Sequence, residues 1–258
     1  MSSDSESVEF IQTPAIRSVT AIRFTNVTKT YHLYTSEQAR LLSVFWSRVP
    51  SETVTANDNL SFEINRGESV ALIGRNGAGK STALRIMTGV TIPDSGTVEV
   101  YGRVSALLDL SAGFDAQLTG RDNLRLRARL WGLNQSEIDA RMDDIVEFAE
   151  LDQYIDQPLR TYSAGMRSRL GFAFASSLDP DILILDEVLA VGDREFHTKS
   201  LARMREILAR RNITLLFVTH SLASAKEFCE RGIVFDHGSI WFDGPVSDAI
   251  AFYQGMTT

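Results

Sequence analysis

The chain has 258 residues and a hydrophobic fraction of 44%, enough to form the buried core of a single α/β domain. Its formal net charge of −7 argues against nucleic-acid binding through a basic surface. The single cysteine, Cys229, excludes an intrachain disulfide, and no apolar run approaches the roughly 18 residues of a membrane span. We therefore expect a soluble cytosolic chain that reaches a membrane only through a partner.

The first part of the chain predicts strands around a glycine-rich loop. Residues 1–19 are mostly polar, and we expect a disordered leader there, before a domain that occupies residues 20–258. Thr20–Val27 and Leu60–Ile64 are predicted strands. Ser69–Ile73 is an apolar strand that runs directly into the glycine-rich loop, and Ser81–Thr88 follows as a helix. Two further strands are predicted at Thr97–Tyr101 and Val104–Leu108.

Residues 36–54 form an amphipathic insertion between the first two predicted strands. Its apolar residues recur at helical spacing: Leu41, Leu42, Phe45, Trp46 and Val49. Arg40 and Arg48 flank them. A surface helix covering part of the core is one interpretation. A helix at the membrane interface is the other, because tryptophan and arginine suit the boundary between lipid and water.

The middle of the chain, about residues 112–178, predicts a helical subdomain inserted into the α/β core. Thr119 is the expected cap of a helix that ends near Gly132. Ile182–Leu185 and Ile213–Val218 are then continuous apolar runs, typical of parallel strands buried on both faces. A hairpin is predicted around Asp236-His237-Gly238, between strands at Gly232–Phe235 and Ser239–Phe242.

The glycine-rich loop fits the phosphate-binding pattern G-x-x-x-x-G-K-[ST]. Such a loop points successive backbone N–H groups at phosphate oxygens, and its lysine adds a positive charge. The serine hydroxyl that follows is a ligand for Mg²⁺. The predicted nucleotide contacts are Gly74, Arg75, Asn76, Gly77, Ala78, Gly79, Lys80, Ser81 and Thr82. A nucleotide and Mg²⁺ are the expected ligands, and the family resemblance described below implies that the nucleotide is ATP.

Two acids end the apolar run Ile182–Leu185. Asp186 is placed to hold Mg²⁺ together with Ser81, and Glu187 to polarise an attacking water. Alone, an Asp-Glu pair at a strand end is more often a solvated cap, and only the phosphate loop gives it catalytic meaning. Ser163, which precedes a further helix, would likewise be read as an ordinary helix cap in isolation.

Taken in order, these motifs resemble the ABC ATPase family over about residues 22–253. The resemblance implies a P-loop NTPase core of ABC type, with a RecA-like parallel sheet, an N-terminal antiparallel β subdomain and an inserted helical subdomain. It makes Tyr162–Met166 a variant of the LSGGQ signature that keeps Ser163 and Gly165. Further roles carried over by the resemblance fall on the switch histidine His220, on Tyr31 as an adenine-stacking aromatic and on Asp193 at a dimer interface.

The departures from the family pattern resemble its polysaccharide-exporter branch, the Wzt/KpsT-like ATPases. No glutamine stands near Leu108-Asp109-Leu110-Ser111, where the family usually has one, and Ala164 and Met166 alter the signature. The resemblance implies homodimerisation and a multispanning permease in two copies. It also implies a place at the cytoplasmic face of the membrane, export of a lipid-linked glycan, and a gate-like role for residues 36–54.

Other functions stay open at this point. A transporter ATPase for a different substrate fits the same motifs. Soluble ABC ATPases of DNA repair or translation fit less well, because they need a coiled-coil insertion or two cassettes, and this chain has one phosphate loop. A kinase or GTPase with a phosphate loop leaves Ser163 and His220 without a role.

Overall fold

The computed structural model describes residues 9–13, 19–34, 52–107, 113–186, 193–209, 213–219 and 221–257. The chain forms two compact units, Met1–Gly102 with Val218–Thr258 and Arg103–Phe217. Among the described residues, the strands are β1 (Glu9–Thr13), β2 (Thr20–Leu33), β3 (Glu52–Asn65), β4 (Ser69–Ile73), β5 (Ser95–Tyr101), β6 (Val104–Leu107), β7 (Ile182–Asp186), β8 (Thr214–Val218), β9 (Arg231–Asp236) and β10 (Ser239–Pro245). The helices there are α1 (Lys80–Met87), α2 (Gly120–Leu130), α3 (Gln135–Ala149), α4 (Ala164–Ser177), α5 (Arg194–Leu208), α6 (Leu222–Phe228) and α7 (Val246–Thr257).

A four-stranded sheet of the first unit has the order β1-β5-β2-β3. β2 is antiparallel to both β3 and β5, as expected for an antiparallel N-terminal subdomain. Phe24 on β2 lies opposite Phe62 on β3, and their rings stack with centroids 4.6 Å apart. Aromatic pairs directly across two strands stabilise a sheet, which explains why these two strands pair in this register.

The expectation of a disordered leader over residues 1–19 is wrong for Glu9–Thr13. These five residues form β1, which runs parallel to β5 from Glu9↔Thr97 to Thr13↔Tyr101. Without β1, β5 would present a row of unpaired backbone N–H and C=O groups at the sheet edge. A short β-prone segment is enough to cover such an edge, although it lacks the core pattern that would reveal it in the sequence.

β2 and β3 are longer than the sequence predicts. The pairing of β2 with β5 ends at Thr28↔Ser95, whereas its pairing with β3 continues to Leu33↔Glu52. A two-stranded ribbon therefore leads from the sheet to the predicted insertion. The last residues of that insertion, Glu52–Val54, belong to β3, and its residues 36–51 lie outside the described part of the chain.

A second group of strands in the first unit has the order β10-β9-β4. β4 and β9 run parallel, with Leu72 opposite Ile233, and both residues are fully buried. β9 and β10 form the predicted hairpin around Asp236-His237-Gly238. Burial on both faces accounts for the continuous apolar runs in β4 and β9. β4 thereby forms a rigid base for the loop that follows it.

In the second unit, β8, β7 and β6 are neighbours in that order, and β6 runs parallel to β7. Helices α2, α3 and α4 enclose an apolar core within the second unit. Thr119 caps α2 by accepting a hydrogen bond from the Asp122 N–H, as the sequence predicts. These helices fall inside the range 112–178 expected to be helical, but the compact unit also includes the three strands. No helix among the described residues is long and apolar enough to cross a lipid bilayer.

Candidate nucleotide-binding site

The glycine-rich loop lies between β4 and α1, so it joins a buried strand to the N-terminus of a helix. Gly74 and Gly79 sit at its buried base, while Arg75, Asn76 and Gly77 form an exposed tip. At Gly74, a Cβ atom would lie 2.3 Å from the Phe235 carbonyl oxygen. Only glycine permits this approach, which seats the loop directly on β9.

Lys80 is held inside the curl of the loop. Its side chain is buried, and its Nζ donates hydrogen bonds to the carbonyl oxygens of Gly74 at 2.6 Å and of Arg75 at 2.9 Å. These bonds close the loop around the lysine and place its positive charge at the centre of the curl. A phosphate group is the anion that such an arrangement of charge and backbone N–H groups suits best.

The N-terminus of α1 strengthens this anion site. Gly79 is the N-cap, with φ of 102°, and no side chain caps the helix or places an acid in its first turn. The first N–H groups therefore keep their capacity to bind a ligand, and the helix dipole favours negative charge there. Ser81 is exposed and Thr82 is half-buried, so the hydroxyl of Ser81 is accessible for the predicted Mg²⁺ role.

A contact that the sequence analysis did not predict supports the loop from outside, through Gly238 of the hairpin turn. The Gly238 N–H, in the turn between β9 and β10, donates to the Ala78 carbonyl oxygen at 3.1 Å. The Gly238 carbonyl oxygen in turn accepts from the Asp58 N–H of β3 at 2.8 Å. The sequence marks Gly238 as a turn residue, but it does not reveal this contact, because the partner Ala78 lies 160 residues earlier in the chain.

Tyr31 lies on β2 opposite Val54 and is half-buried. The Lys29 ammonium lies 5.7 Å from the centre of its ring, and Lys29 also forms an ion pair with Asp94 at 2.6 Å. The structure thus places Tyr31 in the first unit, as it does the phosphate loop. Its stacking on adenine stays a prediction.

In the second unit, Ser163 is the N-cap of α4, and its Oγ accepts a hydrogen bond from the Met166 N–H at 3.1 Å. Ser163 is exposed. Among the described residues, a Cβ atom added to Gly165 would come within 4 Å of the Ser163 Oγ alone, at 3.8 Å, so the backbone there is open to a ligand. The segment predicted to be a variant signature therefore presents an accessible helix N-terminus.

Tyr162, which precedes the N-cap Ser163, attaches the start of α4 to the interior of the unit. Its ring is buried, its hydroxyl donates to the Tyr154 carbonyl oxygen at 2.6 Å, and burial raises the pKa of its phenol to about 12. The Arg167 guanidinium donates to the Tyr162 carbonyl oxygen at 2.9 Å. The start of α4 is thereby attached to the interior of its unit at both ends of Tyr162.

The remaining predicted residues are placed in part. Asp186 is the last residue of β7, directly after the buried run Ile182–Leu185. Asp193 caps α5 by accepting from the N–H groups of Phe196 and Glu195, and these hydrogen bonds lower the pKa of its carboxyl. Glu187, His220 and the segment Leu108–Ser111 lie outside the described residues.

Known proteins resemble this chain over about nine tenths of its length. A sequence profile of the ABC transporter family matches residues 57–190. The chain is 41% identical over 239 residues to an O-antigen export system ATP-binding protein (RfbB) of Klebsiella pneumoniae, covering 90% of this chain and 97% of that protein. It is 37% identical over 235 residues to a teichoic acids export ATP-binding protein (TagH) of Bacillus cereus, covering 91% of this chain and 42% of that protein.

Solved structures show the same fold. An ATP-binding subunit of an ABC transporter matches with a TM-score of 0.71 and 24% identity, covering 91% of this chain and 94% of that one. An ATP-binding cassette in a dimeric post-hydrolysis state bound to ADP and Pi matches with a TM-score of 0.68 and 22% identity, covering 87% and 98%. The expected α/β cassette fold is confirmed.

Proposed function

The chain belongs to the ABC transporter family as an ATP hydrolase, and we propose that it powers export of a lipid-linked polysaccharide through a separate membrane permease. The observation that carries the proposal is the likeness to the Klebsiella O-antigen export protein, which extends over nearly the whole of that protein. The likeness to a teichoic acids export protein, of which this chain covers 42%, also supports a role in export. The chain would act at the cytoplasmic face of the membrane, beside two copies of the permease.

For ATP hydrolysis, we assign the binding of the β- and γ-phosphates to the loop Gly74–Ser81. The curl closed by Lys80 offers both a buried positive charge and backbone donors, which fits a polyphosphate. Ser81 and Asp186 would hold Mg²⁺, which neutralises phosphate charge when bound. Glu187 would polarise the attacking water and His220 would contact the γ-phosphate.

A second copy of the chain would complete the site. The N-terminus of α4 is exposed at Ser163 and open at Gly165, yet it is rigidly attached through Tyr162. Such an end suits the γ-phosphate held by another copy, and Asp193 would lie at the same interface. ATP would then join two copies head to tail, and hydrolysis would release them.

The proposal predicts that cells lacking this chain lose the glycan from their surface. Because the permease would have no source of energy, the lipid-linked glycan should accumulate inside, and the wild-type chain should restore export. Surface glycan and its lipid-linked precursor are measured by extraction and electrophoresis. Normal surface glycan in the deletion strain, with another compound retained in the cell, would assign the chain to a different cargo.

Residues 36–54 supply a second prediction, which concerns the membrane side of the process. We propose that this insertion guides the pyrophosphate headgroup of the lipid carrier towards the permease and takes no part in ATP chemistry. The two-stranded ribbon of β2 and β3 supports this proposal, because the residues that flank the insertion, Leu33 and Glu52, are paired beyond the point where β5 ends. Replacing Leu41, Phe45 and Trp46 together with serine should therefore reduce glycan export while ATP hydrolysis by the purified chain persists.

The matched control is Trp241→Ser, which removes a half-exposed tryptophan from β10 and should leave export unchanged. Thermal unfolding of both variants establishes that each one folds. Joint loss of folding and ATP hydrolysis in the triple variant would show that the insertion packs on the core, and the gate proposal would then be abandoned.

A further inference from the structure

Asn57 is a buried polar residue that contacts the phosphate-binding loop. It lies on β3, its side chain is fully buried, and its Nδ2 donates a hydrogen bond to the Gly79 carbonyl oxygen at 3.1 Å. The fit is close, because a Cβ atom on Gly79 would lie 2.6 Å from this Nδ2. The same Cβ atom would lie 2.3 Å from the Ala56 carbonyl oxygen, so the backbone of Ala56 and the amide of Asn57 together fill the space beside Gly79.

Fold stability alone does not account for an asparagine at this position. Its Oδ1 is buried and has no hydrogen-bond partner in the described part of the chain. A buried acceptor without a partner costs free energy, and an apolar side chain of similar shape would avoid that cost. The retained donor bond to Gly79 is the feature that an apolar side chain could not supply.

The Gly79 carbonyl belongs to the peptide group that joins the loop to α1. In a planar trans peptide, the C=O and the following N–H point in opposite directions. Holding the Gly79 oxygen therefore also fixes the direction of the Lys80 N–H. The same oxygen accepts the first helical hydrogen bond, from the Ala83 N–H at 2.9 Å. The Gly79 oxygen is therefore fixed by two donors, the Asn57 amide and the Ala83 N–H of α1.

We propose that Asn57 is a positioning residue for nucleotide binding, whose amide orients the Gly79–Lys80 peptide so that its N–H faces a bound phosphate. The inference rests on the proposed binding of ATP phosphates by the loop Gly74–Ser81. Gly79 has φ of 102°, in a region where the backbone of glycine can rotate widely. A hydrogen bond from Asn57 to the Gly79 oxygen therefore restricts that rotation. The turn at Gly238 holds the neighbouring Ala78 carbonyl, but it leaves the Gly79 oxygen to Asn57 and α1.

Two variants of the full chain test this role by binding of a non-hydrolysable ATP analogue. Asn57→Leu keeps the approximate shape and removes the donor, so the dissociation constant should rise roughly three- to tenfold at every pH. In Asn57→Asp the carboxyl donates to Gly79 only when protonated, and burial raises the pKa of a carboxyl at this position. Its affinity should therefore be poor at pH 8.5 and improve at pH 6, where it should exceed that of the leucine variant.

Each result supports or overturns the proposal once it is compared with wild type at the same pH. If the leucine variant unfolds at a lower temperature but binds the analogue as wild type does, Asn57 is structural only. If the aspartate and leucine variants behave alike at both pH values, the donor bond is not the cause. Lys80→Ala distinguishes failure of the Asn57 proposal from failure of the proposed nucleotide site. If Lys80→Ala also binds the analogue as wild type does, the proposed role of the loop fails, and not merely that of Asn57.

Discussion

Replacing Glu187 with glutamine is expected to lower ATP hydrolysis by about two orders of magnitude or more while ATP binding is retained. The amide keeps the shape of the side chain but cannot accept a proton from the attacking water. Glu187 directly follows β7 in the chain. The residues Ile182–Leu185 of this strand are buried, so β7 is fixed within the second unit. Phosphate release per chain and the dissociation constant for ATP are the two measurements.

Glu195→Gln is the matched control for this prediction. It makes the same change of carboxylate to amide at an exposed position in the first turn of α5. We expect it to hydrolyse ATP at close to the wild-type rate. If ATP joins two copies as proposed, slow hydrolysis should preserve the pair, and the Glu187 variant should then elute as a dimer with ATP. Wild-type hydrolysis in Glu187→Gln would remove Glu187 from the catalytic assignment.

Lys80→Ala is expected to weaken ATP binding by roughly 10- to 100-fold, because hydrogen bonds from a charged group to phosphate are among the stronger contacts in a site. The variant also loses the bonds from Nζ to the Gly74 and Arg75 carbonyl oxygens. The curl of the loop then has neither its central charge nor the bridge that closes it. Hydrolysis should fall with binding, in contrast to the Glu187 variant.

The control for Lys80 is Arg85→Ala, which removes a positive charge from the exposed side of the same helix α1. Its ATP affinity should match wild type, because its charge is separated from the loop by more than one helical turn and screened by water. Lys80→Met keeps most of the buried side-chain volume and guards against misfolding as the cause. Tight ATP binding by a folded Lys80→Met would contradict the assignment of this loop.

Those features of this protein that have local causes can be predicted from the sequence alone. The phosphate loop occupies eight consecutive residues between an apolar strand and a helix, so its glycines and Lys80 identify it without knowledge of the fold. Helix caps are equally local, and both Thr119 and Ser163 accept the hydrogen bonds that their positions predict. Burial on both faces made the runs in β7 and β8 readable as strands.

Features that depend on partners distant in the chain become visible only in the folded structure. β1 forms because β5 leaves an edge to be covered, and nothing within residues 9–13 specifies that edge. The far end of β2 is ordered by pairing with β3, where the alternation of apolar and polar residues no longer marks a strand. The contacts of Asn57 and Gly238 with the loop join residues 22 and 160 positions apart, and only the packing of β3 and the β9–β10 turn brings them together.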